Sequence, residues 1–430
     1  MGKISMKISV IIPAYNSEMF LAETLDCLEK QTLKDVQIII VNDGSTDKTA
    51  EIIEEHAKKN SNILSLYQKN SGVSAARNNG INHAEGEYTV FLDSDDLLTP
   101  ESLENIYNTL KENEADMAVY RHISFGYGGE QINPVAESLS KEANIDYTDK
   151  RLLWNFLLGN KCYKTEMLKK SEIRFPPLRY SEDGAFTMPL VYDKKPKIIG
   201  IDNAIYRYRR HTPKEGFSVS QSISTELVNH FLSSMSIVYD AAEKSGMTGD
   251  YLQEILYKTY SALINEFYRI LWRADAETVK LIVAKCGEIK NRMAAETSKK
   301  CDTVQKDIGK DIYTKSEIAE KPFVSVITKN CTAEFIESVY AQSMPVFELI
   351  TTENGNLPEN ENVKILPSDG FMQNAKKSAK GKTVLCLDGK SPLDTRFFKV
   401  VTLLKRSPKF GIFPDFLIGI GAKLFLKIKR

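Results

Sequence analysis

An alternation in the first quarter of the chain most constrains what it can fold into. Ile8 to Ile12 is a short apolar, β-branched run stopped by Pro13, as a buried strand would be. Leu21, Leu25 and Leu28 then recur at helical spacing. Val36 to Val41 is a second buried strand, closed by Asn42-Asp43-Gly44-Ser45. Ser45, Thr46 and Asp47 offer caps for a helix carrying Ala50, Ile53 and Ala57. Ile63 to Tyr67 is a third strand, Val73 to Ala84 a helix, and Tyr88 to Leu92 a fourth strand ending in Asp93-Ser94-Asp95-Asp96. Strands alternating with single helices specify a mostly parallel, doubly wound α/β sheet, whose ligands lie at the carboxyl ends of the strands. Tyr15-Asn16, Asp43-Gly44-Ser45 and Asp93-Ser94-Asp95 all fall at those ends.

The rest of the composition excludes whole classes. At 430 residues the chain exceeds one compact core, and two or three domains are expected. Hydrophobic residues at 42% and charged residues at 27% are the balance of an ordinary globular protein, not of a disordered or polytopic membrane chain. Lys+Arg and Asp+Glu are both 57, so there is no surplus of positive charge for phosphates, and no nucleic-acid partner is expected. The six cysteines are scattered without a CxxC pair and read as reduced thiols of a cytosolic protein. Met1 to Lys7 leaves no room for a signal peptide before the first strand. No uncharged apolar stretch reaches the ~20 residues of a membrane-spanning helix.

Downstream, residues 222–293 follow a helical pattern, for example Leu252, Ile255, Leu256 and Tyr260, and polar Lys299 to Lys321 reads as a linker. The chain then begins again. Val324-Ser325-Val326-Ile327 echoes Ile8-Ser9-Val10-Ile11. Residues 342–356 lie without a gap on residues 31–45, and residues 379–390 on residues 84–95. A shortened internal repeat of the first sheet is expected, chance similarity of two parallel-sheet segments being the alternative. The last segment, 410–430, mixes Phe, Leu and Ile with Lys423, Lys427 and Arg430 on one helical face. It suits either a peripheral contact with an anionic membrane or a terminal helix packed on the body of the protein.

Asp93 and Asp95 are the first candidates for chemistry. At i and i+2 of a strand both carboxylates would point the same way, and hard oxygen donors suit Mn²⁺ or Mg²⁺ holding a phosphate-bearing substrate. Paired Asp at a loop start is also an ordinary cap or solvated turn. An EF-hand starting at Asp93 fails because Leu97 and Leu98 occupy ligand and glycine positions, and one at Asp43 has Lys48 where Gly is needed. A phosphatase with Asp93 as nucleophile and Asp95 as acid competes, although no Thr/Ser and Lys motifs downstream complete it.

Three further motifs fall in order around this pair. Val10-Ile11-Ile12-Pro13-Ala14-Tyr15-Asn16, Val41-Asn42-Asp43-Gly44-Ser45-Thr46-Asp47, Asn70-Ser71-Gly72-Val73-Ser74-Ala75-Ala76-Arg77-Asn78 and Phe91-Leu92-Asp93-Ser94-Asp95-Asp96 together resemble bacterial glycosyltransferases of family 2, with the GT-A nucleotide-sugar fold. Asn160 to Lys164, Arg174-Phe175, Ser181-Glu182-Asp183 and Tyr206 to Arg209 resemble the acceptor-side half of that family, so the likeness covers residues 6–220. It implies that Pro13, Ala14 and Tyr15 contact the nucleotide base and that Asp43 accepts from its N3–H, with helix capping as Asp43's plainer role. It implies that Arg77 supports the nucleotide pocket, although a surface helix arginine is the plainer account. It places Asp93 and Ser94 on the donor and Asp95, with Asp93, on the metal. Asp183 would be the base that deprotonates the acceptor hydroxyl in an inverting transfer, with Glu182 orienting it. The plainer role of both acids is to favour a helix N-terminus. Arg209, Arg210 and His211 would fold over the diphosphate as a lid, or form a solvated basic loop.

The expected organisation is a catalytic domain over residues 1–220, a helical domain and linker over 221–320, a degenerate α/β copy over 321–405 and the basic segment 406–430. In the copy Asp43 becomes Asn354, Asp95 becomes Lys390 and Arg77 falls near Met372, so it would be non-catalytic and would pack on the first domain, dimerise or hold glycan. The expected activity is an inverting, metal-dependent transfer from a UDP-sugar to a hydroxyl of a saccharide or lipid-linked saccharide, in the cytoplasm and, through the tail, at the cytoplasmic membrane face. The rivals are a non-catalytic glycan- or nucleotide-binding protein on the same fold, and an Asp-dependent phosphatase or nucleotidyltransferase.

Overall fold

A computed structural model describes residues 6–126, 129–211, 224–265 and 276–308, together with the segments 324–328, 347–352, 363–366, 371–379 and 383–386. The chain forms two compact units, one of Met1–Ser220 with Glu226–Thr259, the other of Gln221–Thr225 with Tyr260–Arg430.

In the first unit, strands β1 (Ile8–Ala14), β2 (Val36–Asn42), β3 (Ile63–Tyr67) and β4 (Tyr88–Phe91) alternate with helices α1 (Leu21–Glu29), α2 (Thr49–Lys59) and α3 (Val73–His83). Strands β1 and β2 are buried along their whole length, which is why they read as continuous apolar runs: helices cover both faces of the sheet. Helix α3 approaches β1 closely, since a Cβ on Gly80 would lie 2.4 Å from Ile11 Cγ2. The sheet continues through β5 (Leu97–Leu98), α4 (Ser102–Glu112), β6 (Met117–Gly126), β7 (Gln131–Ile132), α5 (Pro134–Ser140), β8 (Lys161–Lys164), α6 (Thr165–Lys170), α7 (Glu182–Lys194) and β9 (Ile198–Arg210). Its order is β3-β2-β1-β4-β8-β6-β9-β5, with β7 on β6. The first four strands are parallel, β8 enters antiparallel to β4, and β5 pairs with β9. This is the mostly parallel, helix-flanked GT-A sheet. Two of its pairings build the site. β5 on β9 brings residues 206–211 to the turn after β4, and β8 on β4 brings the loop before Lys161 to the same end.

Helices α8 (Thr225–Lys244), α9 (Asp250–Asn265), α10 (Ala276–Asn291) and α11 (Ala295–Ile308) follow. Helix α11 corrects the first part of the linker expected over Lys299–Lys321: residues 299–308 are polar but free of Gly and Pro, and polarity alone does not break a helix. Residues 309–321 lie outside the described residues.

The second unit contains β10 (Val324–Ile327), β11 (Phe347–Thr351), β12 (Val363–Ile365), helix α12 (Phe371–Ser378) and β13 (Thr383–Cys386). All its strand pairs are parallel, in the order β12-β11-β10-β13. The order matches β3-β2-β1-β4, and so does the register. Val324 faces Phe347 and Thr383 as Ile8 faces Val36 and Tyr88, and Leu349 faces Val363 as Ile38 faces Ile63. Asn354, Lys390 and the tail 410–430 lie outside the described residues. No helix among the described residues is long and apolar enough to cross a membrane.

Candidate active site

The site lies at the carboxyl ends of β1, β2 and β4. Strand alternation ends at Phe91, and Asp93 to Asp96 form a turn in which the Asp96 N–H donates to the Asp93 carbonyl (3.1 Å). The two carboxylates therefore do not point alike, as the i, i+2 argument expected. Asp93 Oδ1 accepts from Arg77 Nη2 at 2.8 Å, whereas Asp95 Oδ2 lies 2.6 Å from His211 Nε2.

Arg77 is the centre of the arrangement. Its guanidinium bonds Asp93 on one side and, through Nη1, Glu182 Oε1 at 2.7 Å and Asp183 Oδ1 at 3.0 Å on the other. The side chain is 4% exposed, so it is not a surface arginine but a buried bridge between the two acidic motifs. The ring of Phe175 lies 5.5 Å from its carbon and stacks on Phe186 at 3.8 Å, with Phe91 edge-on to both. That apolar floor allows the guanidinium few rotamers.

Glu182 and Asp183 open α7, a helix buried on nearly every side, so they do occupy the helix N-terminus as the plainer account held. They also do more than that. Asp183 Oδ2 accepts from the Leu158 N–H at 3.2 Å while Oδ1 is held by Arg77, which fixes the carboxylate plane. Burial raises Asp183 to about 7; Arg77 opposes the shift, and Glu182 and Asp93 add to it. Ser181, just before, adopts φ +61°, a left-handed conformation that is strained for serine. Ser234 of α8 secures it by donating to the Ser181 carbonyl at 2.6 Å.

Asp43 is buried, and its carboxylate accepts from Gln68 Nε2 (2.8 Å), Ser71 N (2.9 Å) and Gly72 N (2.8 Å). It shapes the loop that starts α3, with three of about four acceptor positions in use. Pro13 and Ala14 end β1 beside it, and Tyr15 is 51% exposed. Ser94 shares a hydrogen bond with Ser17 (2.8 Å). The expected capping of α2 differs in detail. Only Asp47 reaches its first turn, accepting from Thr49 N, while Ser45 accepts from Asn16 N and the Asn16 side chain accepts from Thr46 N.

Arg209 and Arg210 end β9, and Arg209 is tied to the turn after β4 rather than solvated. The Arg209 N–H donates to Asp96 Oδ1 (2.6 Å), its Nε to the Asp95 carbonyl (2.7 Å) and its Nη2 to Glu23 (2.7 Å), and the guanidinium lies 4.6 Å from the rings of both Phe20 and Phe125. Asp96, which composition alone did not single out, is fully buried and also accepts from Tyr206 Oη. Burial, followed by the neighbouring Asp95 and Asp93, holds it well above the usual carboxylate range. Asp95 and His211 put a carboxylate oxygen and an imidazole nitrogen in contact at one end of the sheet, while Asp93 beside them is turned to Arg77. These donor types suit Mn²⁺ or Mg²⁺, the imidazole being the one that Mg²⁺ takes less readily, although the three side chains do not converge on one point.

The chain also matches known proteins. Residues 9–172 match the family model Glycosyl transferase family 2. The poly(ribitol-phosphate) beta-glucosyltransferase of Bacillus spizizenii is 36% identical over 209 residues, 47% of this chain and 32% of that protein. The chain thus spans about a third of the length of its larger curated relatives. The glycosyltransferase GlyG of Streptococcus pneumoniae is 30% identical over 223 residues, 49% of this chain and 72% of that protein. Among solved structures, residues 1–349 of Staphylococcus aureus TarS in complex with UDP-GlcNAc superpose with a TM-score of 0.54 at 23% identity, over 70% of this chain and 84% of that one, a likeness of fold. With the family model over β1 to α6 and a relative matched over most of its length, the chain belongs to glycosyltransferase family 2.

Proposed function

We propose that the protein is an inverting, metal-dependent glycosyltransferase that moves a sugar from a UDP-sugar to a hydroxyl of a saccharide or lipid-linked saccharide in surface-polymer synthesis. One observation carries this: a single buried guanidinium joins the donor-side Asp93 to the acid pair Glu182–Asp183. The base and the leaving-group side are thereby held at a fixed spacing, as an in-line displacement at one sugar carbon requires.

Pro13, Ala14 and Tyr15 would line the base and ribose, with Asp43 setting the loop and offering its remaining lone pair to the base edge. Asp95, Asp93 and His211 would hold Mn²⁺ or Mg²⁺, which when bound supplies positive charge for the departing diphosphate. Asp183 takes the proton from the acceptor hydroxyl, and its position near 7 suits a base working at neutral pH. Glu182 and Arg77 hold it in place. The acceptor class is supported by relatives named for poly(ribitol-phosphate) glycosylation. The β10–β13 sheet would be a degenerate copy of the donor half, as its strand order and register suggest. Residues 410–430 would bring a cytoplasmic protein to the membrane face, and the copy would mediate a homodimer.

The test is UDP release in Mn²⁺ from UDP-glucose, UDP-galactose and UDP-GlcNAc. Turnover of one of them should fall at least ~10²-fold in Asp95→Ala and in Asp183→Asn. UDP binding without turnover would favour the non-catalytic rival, and a trapped phospho-aspartate at Asp93 the phosphatase.

A further inference from the structure

One lysine is buried beside the base with neutral oxygens as its hydrogen-bond partners. Lys161 is fully buried at the start of β8, and its three ammonium protons are directed at neutral oxygens: the Asn155 carbonyl (2.7 Å), Asn160 Oδ1 (3.1 Å) and the Leu157 carbonyl. Lys258 of α9 donates to the Leu153 carbonyl and lies 3.6 Å from the centre of the Phe156 ring. All these acceptors lie between Leu153 and Asn160, in the turn at residues 150–154 and the short segment that joins it to β8. Burying the Lys161 ammonium among neutral oxygens costs several kcal/mol, so its place in the fold needs a purpose beyond packing.

The Leu157 carbonyl supplies one. A trans peptide group is planar, with its C=O and N–H pointing in opposite directions. The N–H of that same group is the Leu158 N–H, which donates to Asp183 Oδ2. Lys161 thus grips one end of a rigid dipole whose other end holds the base. A peptide polarised at its carbonyl by a cation is also a stronger donor at its N–H. From the other side, Phe156, held by Lys258, lies where a Cβ on Gly184 would be, 2.2 Å from Cδ2. Burial brings Lys161 down to about 7, and Asp183 is the group that most raises it again, so the two charges interact.

We propose that Lys161 is a positioning residue: through the Leu157–Leu158 peptide it fixes the carboxylate plane of Asp183, leaving only the outward lone pairs to meet the acceptor hydroxyl. This rests on Asp183 being the base.

The full-length chain tests it with the fastest-turning substrate among UDP-glucose, UDP-galactose and UDP-GlcNAc. Lys161→Met is expected to lower kcat about 10- to 100-fold, the range seen when a positioning group is removed, while KM for the UDP-sugar and calorimetric UDP affinity stay within about twofold. Added to Asp183→Asn, it should produce no further loss. Labelling with ¹³C-carbonyl and ¹⁵N leucine isolates the amides of Leu98, Leu153, Leu158 and Leu404, each of which follows another leucine. The Leu158 amide proton should move upfield in Asp183→Asn and in Lys161→Met. If Lys161→Met does not fold, Lys161→Gln, which keeps one donor, should show the same shift and a smaller kcat loss. Unchanged kcat, a parallel loss of UDP affinity, additive losses or an unmoved Leu158 amide overturns the inference. Full turnover in Asp183→Asn overturns instead the assignment of the base.

Discussion

Replacing Arg77 by methionine isolates the electrostatic part of the site. Methionine keeps much of the buried volume but removes the charge that faces Asp93, Glu182 and Asp183. Arg77 Nη1 stands 3.0 Å from Asp183 Oδ1. With charge centres about 4 Å apart and an effective dielectric of about 20, one full charge contributes about 4 kcal/mol, equal to about three pK units. The Asp183 side chain is 25% exposed, so screening reduces this, and an upward shift of about 1.5 units is the working figure. Starting from about 7, half of Asp183 is ionised at pH 7; after the shift about 3% is. The share of the kcat loss due to ionisation is therefore about 15-fold at pH 7, shrinking to almost nothing near pH 9.5. The assay is UDP release across pH 6 to 10 for both proteins. Arg77→Lys, which keeps the charge but not the fork, should hold its midpoint closer to that of the natural protein. Losing one partner of a buried ion pair also costs about 3–5 kcal/mol of stability, so rates are compared well below the calorimetric Tm. Parallel pH profiles, with one constant ratio between variant and natural protein, would refute the reasoning.

Three other outcomes are expected. Asp183 is raised from 3.8 unfolded to about 7 folded, so its protonated form contributes stability that is complete below about pH 4 and lost as pH rises through 7. Asp183→Asn should then raise Tm at pH 8, by at most the equivalent of about 4 kcal/mol, while abolishing turnover; a lower Tm at pH 8 contradicts the sign. His122, buried between Tyr206 and Tyr208, is lowered to about 4, chiefly by burial. It therefore costs at most about 3 kcal/mol of stability as pH falls from about 6.5 through 4, and His122→Phe should flatten the Tm profile in that window. Gly184→Ala places a methyl 2.2 Å from the Phe156 ring and should cost about 1–3 kcal/mol and lower kcat more than it changes UDP affinity. Unaltered Tm and kcat would show that the ring yields freely.

What was legible in the sequence and what was not divide along the range of the interactions. The first four strands and three helices follow from local pattern, because a strand buried on both faces must be apolar along its length and an adjacent helix must carry its own apolar stripe. The acids Asp93, Asp95, Glu182 and Asp183 are legible because motifs keep them in short runs. Their partners are not. Arg77 meets Glu182 across 105 positions, and His211 meets Asp95 across 116. No periodicity specifies such pairings, since they are made by β5 on β9 and by α7 packing under β4. The i, i+2 argument for Asp93 and Asp95 failed for the same reason: it extended strand geometry past Phe91, where the chain turns.

Lys161 shows the limit most clearly. A lysine in Asn160-Lys161-Cys162-Tyr163-Lys164 reads as the polar member of an alternating strand, and pattern would place it in water. In the fold, β8 lies between β4 and β6 with both edges paired, and successive residues Lys161, Cys162 and Tyr163 are buried on both faces, so the ammonium must find oxygens inside. Those available are the carbonyls of the loop that leads into the strand. A buried lysine at a sheet's carboxyl edge therefore organises the backbone just before it. That backbone here ends in the N–H facing Asp183, so the cost of burying the charge and the precision of the base have one source.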